Sequence, residues 1–337
     1  VVTIADVAKH AGVAPSTVSY VLTGRRAISA RTRAKVRDSI ELLGYHPHAG
    51  ARSLASNRAN VVALVLPLRT GVNVPVAMRF VLSVVTAARE RDQDVLLVTG
   101  DQGVAGINRI SGSAMADGLV VMDVEMHDER VPLLRDLPQP SVLIGFPADA
   151  TGLTCVDLDF SSAGTLCVDH LADLGHREVA LLGAPRAVYE RDTGFAHRTM
   201  AGFTSAALRR GIHATTRSCE SDPAEVTRTV TALLAERPAL SAVVVHNEAA
   251  ISPLLAALRT EGRRVPEDVS IVAICPDEVT DRVFPPLTSV QIPTEDLGQR
   301  AVELLMAKLA RQGVAPATLL TPRLVERGSC GRAPLPG

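Results

Sequence analysis

The chain has 337 residues, 47% of them hydrophobic, with a net charge of −1; it is long enough for more than one core and too apolar for a disordered tail. No run approaches 18 apolar residues, which excludes a membrane-spanning helix. Five cysteines (Cys155, Cys167, Cys219, Cys275 and Cys330) are odd in number and form no CxxC pair, which argues against a disulfide framework or zinc site and for reduced thiols.

The chain opens on two short helical patterns joined by a tight turn. Ile4, Val7, Ala8 and Ala11 recur at i, i+3, i+4, i+7, one face of a first helix. Thr3 precedes it with Asp6 three residues on, a capping-box-like start. Gly12 permits the left-handed conformation that ends a helix. Pro15 opens a second helix where its missing N–H costs nothing. Val18, Val21 and Leu22 are that helix's expected apolar face, and Ser16, Thr17, Ser19 and Tyr20 point outward. A helix, a short turn and a helix with a small polar outer face describe a DNA-reading helix-turn-helix, although spacing alone also fits any small helical hairpin.

A loop over 25–29 follows, with Ser29 the expected N-cap of a third helix over about 30–43. Val36, Ile40 and Leu43 form its inner face and Gly44 stops it. Residues 1–58 hold nine Lys/Arg against three acidic residues, a balance of +6 that leaves −7 on the remainder. A basic module on an acidic body is the footprint of a domain that meets phosphate. Residues 47–58 read as a linker by position and a short helix by pattern, too short to be stable alone.

From Asn60 the pattern becomes apolar strands alternating with amphipathic helices. One series of strands is expected at 61–67, 95–99, 118–122 and 141–146, and a second at 179–183, 242–246 and 269–274. Helices are expected at 76–91, 161–174, 200–210, 224–236, 249–261 and 294–311. Such alternation implies parallel sheets with helices on both faces, and two series imply two lobes. The tail after Arg327 is rich in Gly and Pro and is expected to fray.

Nothing reads as an enzyme. There is no GxGxxG or GxxxxGK[ST], and Gly183-Ala184-Pro185 is not a phosphate loop. His46, His48, His170 and His176 lack metal-ligand spacing, and His170 and His176 are expected to be satisfied boundary histidines. Asp157 and Asp159 alternate along a strand end without a nucleophile beside them. No catalytic residue, metal or cofactor is therefore expected.

The segments Thr3-Ile-x-Asp6-Val7-Ala8, Ala11-Gly12-Val13, Ser16-Thr17-Val18-Ser19, Thr32-Arg33-x-Lys35-Val36, Leu43-Gly44-Tyr45-x-Pro47 and Ala51-Arg52-Ser53-Leu54 carry a specific resemblance. In this order and spacing the chain resembles the headpiece of the LacI/GalR (lac repressor/gal repressor) family of bacterial transcription regulators, and the likeness continues more loosely to about residue 325. Ala14 departs from the family's usual Ser, at a cost of about 1 kcal/mol as an N-cap.

The resemblance implies an all-α helix-turn-helix headpiece plus an α/β core of two doubly wound parallel-sheet lobes, periplasmic-binding-protein-like. The headpiece would span 1–46, a hinge helix 47–59 and the core 60–330. The N-lobe would hold about 60–158 and 292–320, and the C-lobe about 161–289 and 321–330. Crossovers between lobes would fall near 156–160, 289–293 and 320–323.

By the same resemblance, Pro15, Ser16, Thr17, Tyr20 and Arg26 are placed to read bases, and Arg26 is of a type that pairs bidentately with guanine. Thr3, Ser19, Thr23 and Tyr45 are placed on phosphates. Arg52 flanks Leu54, which holds the position of the minor-groove wedge. The implied effector contacts are Arg69, Thr70, Asn73, Phe146, Arg191, Arg198, Thr199, Asn247 and Cys275. Two departures stand out: Thr199 takes the place of the family's Arg, with Arg198 one position off, and Cys275 stands where an Asp is usual.

The chain has no Trp and 3% aromatics, so few rings are available to stack on sugar. The effector is thus expected not to be a simple hexose, or the cleft to have lost tight binding; Arg69, Arg186, Arg191 and Arg198 suit an anionic ligand but equally suit the surface. The implied protein is a cytoplasmic homodimeric repressor bound to a double-stranded DNA operator, gated by a small-molecule effector, with no membrane association. With the helix-turn-helix at the start of the sequence, no signal peptide is expected. A small-molecule receptor with a vestigial headpiece and a corepressor-dependent regulator remain the alternatives.

Overall fold

The computed structural model describes residues 2–23, 26–45, 58–100 and 103–334. The hinge segment up to residue 57, with Arg52 and Leu54, and the side chain of Thr23 lie outside the described residues.

Helices α1 (Ile4–Ala11), α2 (Pro15–Thr23) and α3 (Ala30–Leu43) form the N-terminal module. Thr3 and Asp6 close a capping box, Gly12 ends α1 at φ 64°, and Gly44 ends α3 at φ 60°. Val7, Ala8, Ala11, Val18, Val36 and Tyr45 are buried together, with Ile4, Val21, Ile40 and Leu43 half-buried around them. Leu22, expected in this core, is instead 39% exposed, because the cluster is built on the Val18–Val21 side of α2. Burial of a valine contributes about 1.5–3 kcal/mol, so a core this small is marginal by itself.

The core has two sheets. The first comprises β1 (Val61–Val65), β2 (Asp94–Val98), β3 (Gly118–Val121), β4 (Ser141–Ile144), β5 (Cys155–Leu158) and β11 (Ala317–Leu320). Its order is β11-β5-β4-β3-β1-β2, every pair parallel. The second comprises β6 (Glu178–Gly183), β7 (His213–Ser218), β8 (Ala242–Val245), β9 (Ser270–Cys275), β10 (Thr288–Gln291) and β12 (Leu324–Val325). Its order is β12-β10-β9-β8-β6-β7, parallel except that β12 runs against β10. The central strands are buried on both faces, which is why they read as unbroken Val/Ile/Leu runs rather than alternating ones.

Around the first sheet lie α4 (Val74–Arg89), α5 (Gly103–Gly112) and α6 (Val131–Asp136). Around the second lie α7 (Phe160–Asp173), α8 (Arg186–Glu190), α9 (Gly194–Arg210), α10 (Pro223–Glu236), α11 (Ile251–Thr260) and α12 (Asp277–Thr280). The chain then returns to the first lobe as α13 (Thr294–Leu309), which packs on α4. A Cβ on Gly298 of α13 would stand 2.4 Å from Ser83 Oγ of α4, and Ser83 Oγ donates to the Glu295 carbonyl at 2.7 Å. The three interlobe passages follow directly on β5, β10 and β11.

Several elements escape a periodicity reading. β7 (sequence HATTRS) is a polar edge strand paired only with β6, so it offers no apolar run. Helices α5, α6 and α8 are too short or too Gly-rich to show a period, and α9 begins six residues before its expected start at 200. Over its described residues, 328–334, the tail after Arg327 does not fray as expected. Ser329 is buried, its hydroxyl donates to the Ile271 carbonyl at 2.6 Å, and Ile271 N–H donates to the Ser329 carbonyl at 2.8 Å. Gly331 continues the attachment, its carbonyl meeting His176 Nε2 at 3.1 Å. Small residues let this tail lie close along β9, a tertiary role that composition alone reads as looseness.

Candidate nucleic-acid interface and interlobe cleft

On the N-terminal module the structure brings several of the expected DNA residues to one side. Pro15 and Ser16 at the start of α2 are exposed, and Thr17, Ser19 and Tyr20 are half-buried. Arg26, in the loop after α2, sets its guanidinium carbon 5.9 Å from the centre of the Tyr20 ring, within cation–π reach. That contact restrains a long side chain next to the helix face it is expected to serve. Thr3 is exposed but occupied: its hydroxyl donates to Asp6 Oδ2 at 2.7 Å. Those hydrogen bonds and the nearby Lys9 hold the exposed Asp6 carboxyl below its ordinary range. Tyr45, expected on a phosphate, has its ring in the helical core.

Between the two lobes lies a cavity of about 160 Å³, room for roughly five waters and hence for a small molecule. Its walls are largely apolar, among them Leu66, Val76, Phe80, Ile144 and Ile292. Most of the polar groups in the lining sit toward the carboxyl ends of strands: Asp123 after β3, Asp157 on β5, and His246, Asn247 and Glu248 after β8; Asn73 and Arg191 come from helix ends. Open α/β sheets place their ligands at this edge, because diverging connections leave a crevice there.

Burial governs the chemistry of these groups. Asp157 is 6% exposed, and its Oδ1 accepts only the Leu158 N–H at 2.9 Å. Desolvation pushes its carboxyl up to about 7, against the weaker pull of that hydrogen bond and of Arg198. Glu248 is likewise pushed up to about 7 by burial, although Asn73 Nδ2 donates to it at 3.1 Å. His246 is pushed down to about 4 by burial. Its ring lies 5.7 Å from Phe160 and 5.5 Å from Phe195, and its Nδ1 has no partner. Asp123, at φ 53°, is raised by burial despite Arg191 and Arg69.

A raised carboxyl favours the folded state only while it stays protonated. Its contribution is whole below the unfolded value and is lost as pH rises through the folded one. Asp157→Asn should therefore match the parent in stability near pH 4 and exceed it by a few kcal/mol above pH 7, with Leu158 N–H still accepted. Urea denaturation across pH 4–8 checks this; parallel curves for the two proteins would show that Asp157 ionises freely.

The structure sorts the expected effector residues into three groups. Asn73, Arg191 and Asn247 line the cavity, but Asn247 spends its side chain internally, donating to the Cys219 carbonyl at 2.7 Å and accepting from Ala249 N–H at 3.1 Å. Arg69, Thr70, Phe146 and Arg198 lie beside the cleft and fasten the lobes or their loops. Arg69 is paired with Glu125 and lies 3.7 Å from Asp123. Arg198 donates to the Phe146 carbonyl at 2.8 Å, and Arg191 Nη1 to the Thr70 carbonyl at 2.7 Å. Thr199 and Cys275 are buried away from the lining: the Thr199 hydroxyl donates to the Phe195 carbonyl at 3.0 Å, and Cys275 belongs to the second lobe's core. Arg186, outside the lining, pairs with Glu190 at 2.7 Å.

Sequence reasoning missed Asp123, Asp157, Glu248, His246, Phe160 and Phe195 as cavity residues. A usable signal existed, since each carboxylate ends or follows an apolar strand. Neither ring was legible: Phe160 stands just before the helix expected at 161, and Phe195 five residues before the one expected at 200. Among the described residues no group of His, Cys, Asp and Glu is arranged to hold a metal, and no helix is long and apolar enough to cross a membrane.

Comparison with known proteins agrees with this architecture. Residues 3–48 match the family model described as bacterial regulatory proteins, lacI family, and residues 168–330 match a periplasmic binding protein-like domain. The chain is similar to the HTH-type transcriptional regulator CelR of Thermobifida fusca, 30% identical over 94% of this chain and 95% of that one. It is 27% identical to the ribose operon repressor of Escherichia coli (strain K12), over 97% and 99% of the two chains. A solved CelR–cellobiose complex superposes with a TM-score of 0.68 at 28% identity, over 98% of this chain and all of that one. The lac repressor dimer bound to operator and the anti-inducer ONPF shares the fold, with a TM-score of 0.84 at 24% identity over 98% and 99% of the chains.

Proposed function

This chain belongs to the LacI/GalR family of DNA-binding bacterial transcription regulators, and from that premise we propose that it is a repressor that binds an inverted-repeat operator as a homodimer, under the control of a small molecule in the interlobe cleft. The observation that carries the DNA half is the outer face of α2, where Pro15, Ser16 and the Tyr20–Arg26 pair stand together, within an N-terminal stretch (residues 1–58) of charge +6. A twofold dimer of such modules calls for two half-sites related by symmetry. Binding DNA puts the protein in the cytoplasm.

Control by an effector is supported by what crosses the cleft. Asn73 reaches Glu248, Arg191 reaches Thr70, and Arg198 reaches Phe146. A ligand that favours one arrangement of these bonds shifts the population of lobe closures. A stretch of the length expected for the hinge is marginal as an isolated helix, so in this reading a few kcal/mol from the lobes would suffice to decide whether it forms, which would couple effector to operator.

Site selection from a random DNA pool at near-physiological salt tests the reading, since phosphate-driven affinity is salt-dependent. An inverted repeat should be enriched. Arg26→Ala should relax the preference at one position per half-site by about 1–3 kcal/mol if it reads guanine. Retention on random DNA at low salt without any enriched motif would instead indicate a receptor whose headpiece no longer reads sequence. Enrichment only after metabolite extract is added would make the effector a corepressor.

A further inference from the structure

The identity of the cleft's ligand class follows from sorting its polar groups into donors and acceptors; the inference rests on reading the cleft as the effector site. Of the four arginines near it, Arg69 is engaged by Glu125, Arg186 by Glu190 and Arg198 by backbone carbonyls. Arg191 alone among the described residues brings a guanidinium to the lining. Its Nε and Nη2 have no hydrogen-bond partner, and Asp123, whose Oδ2 lies 3.7 Å from Arg69 and accepts no hydrogen bond, is close enough to feel the Arg191 charge as well. Arg69 and Arg191 are thus balanced in charge by Glu125 and Asp123.

What remains can accept, through the carboxyl oxygens of Asp157 and Glu248 and one ring nitrogen of His246. Neither Asp157 nor Glu248 is held in an ion pair among the described residues. His246, 4% exposed, is kept neutral by burial, with Nδ1 unpartnered, in a three-ring cluster with Phe160 and Phe195. Phosphate and carboxylate ligands carry acceptors and negative charge, and would meet two acids. A polyol brings as many acceptors as donors to walls that are mainly hydrocarbon. An ammonium group brings three donors, no acceptor and a positive charge, and the faces of Phe160 and Phe195 favour a cation.

We propose that the cleft binds a small organic amine, its ammonium group directed to Asp157 or Glu248 and its body against the Phe160–Phe195–His246 wall. With the cleft empty, burial holds both carboxyls partly protonated near pH 7. Binding of a cation ionises them, so protons are released and affinity tightens as pH rises from 6 to 8.

The test is calorimetry on the full chain with matched pairs: glucosamine and glucose, 2-phenylethylamine and 2-phenylethanol, 1,4-diaminobutane and 1,4-butanediol. At least one amine should bind tenfold or more tightly than its neutral partner at pH 7.5, release protons, and tighten between pH 6 and 8. Asp157→Asn or Glu248→Gln should erase that preference while leaving circular dichroism unchanged. Equal or tighter binding of the neutral partner, no binding by any amine, or a preference untouched by both substitutions overturns the assignment. If a neutral sugar binds and alters operator affinity, the cleft is still an effector site and only the amine falls. If the chain selects an operator but no compound of either kind alters it, effector control falls as well.

Discussion

Arg130→Met should destabilise the first lobe by about 3–5 kcal/mol, the cost of leaving one member of a buried ion pair alone. Arg130 is 1% exposed. Its Nε and Nη2 donate to the two oxygens of Asp128 at 2.8 and 2.6 Å, and Nη2 also reaches the carbonyls of Met122 and Asp123 at 3.1 and 2.8 Å. Burial alone would push the Asp128 carboxyl up, but the hydrogen bonds and charge of Arg130 outweigh it and hold the group below its ordinary value. Without Arg130 that carboxylate is stranded, and two carbonyls lose their donor. The same loop carries Asp123 into the cleft, so ligand binding should weaken together with stability. Replacing both partners, as in Arg130→Met with Asp128→Leu, should recover most of the stability, because no buried charge is left unpaired. Denaturant titrations of the two single variants and the double variant measure this. A loss under about 1 kcal/mol in Arg130→Met would mean that the pair relaxes into water.

Gly202→Ala should cost at least the 1–3 kcal/mol usual for overpacking, because the obstacle is backbone. A Cβ at Gly202 would stand 1.9 Å from the Ser161 carbonyl oxygen, and one at Gly164 would stand 2.4 Å from that of Thr199. Helices α7 and α9 therefore cross with their backbones in contact, and no rotamer change relieves an added methyl. The helices must separate, and they carry Phe160 and Phe195 near their N-termini. The variant should thus lose stability in urea and also bind cleft ligands more weakly. Gly211→Ala at the end of α9 provides a contrast: no atom lies within 4 Å of its Cβ position, and φ 61° makes its cost purely conformational, about 1 kcal/mol. Equal losses in the two variants would argue against a close helix crossing.

Much of the architecture was legible because it rests on local signals. The capping box at Thr3, the stops at Gly12 and Gly44, and the third helix at Ala30–Leu43 follow from residues a turn apart. Apolar runs such as Ala242–Val245 in β8 announce strands buried on both faces. The segment containing β7 does not, since an edge strand needs little apolar surface. The tail over Ser329–Gly331 misleads for a related reason: its composition signals freedom, while its hydrogen bonds to β9 and His176 come from residues far away in sequence.

The effector site was the least legible part. Resemblance pointed to Arg198, Thr199 and Cys275 by position, and the fold assigns these to lobe fastening, helix bonding and core. It pointed to Asn247, which lines the cavity but spends its side chain on Cys219 and Ala249, while the neighbouring Glu248 offers a carboxyl to the cleft. A one-residue shift at the end of a strand decides whether a side chain enters the cleft or the core, and spacing cannot resolve that. By itself, then, the sequence determined the helix-turn-helix, the segregation of basic charge and the two α/β lobes, since these depend on local pattern and composition. Only the tertiary structure decided which polar groups share the cleft and which are already paired, because pairing and desolvation arise between residues as distant as Asn73 and Glu248, and these set the charge a ligand must bring.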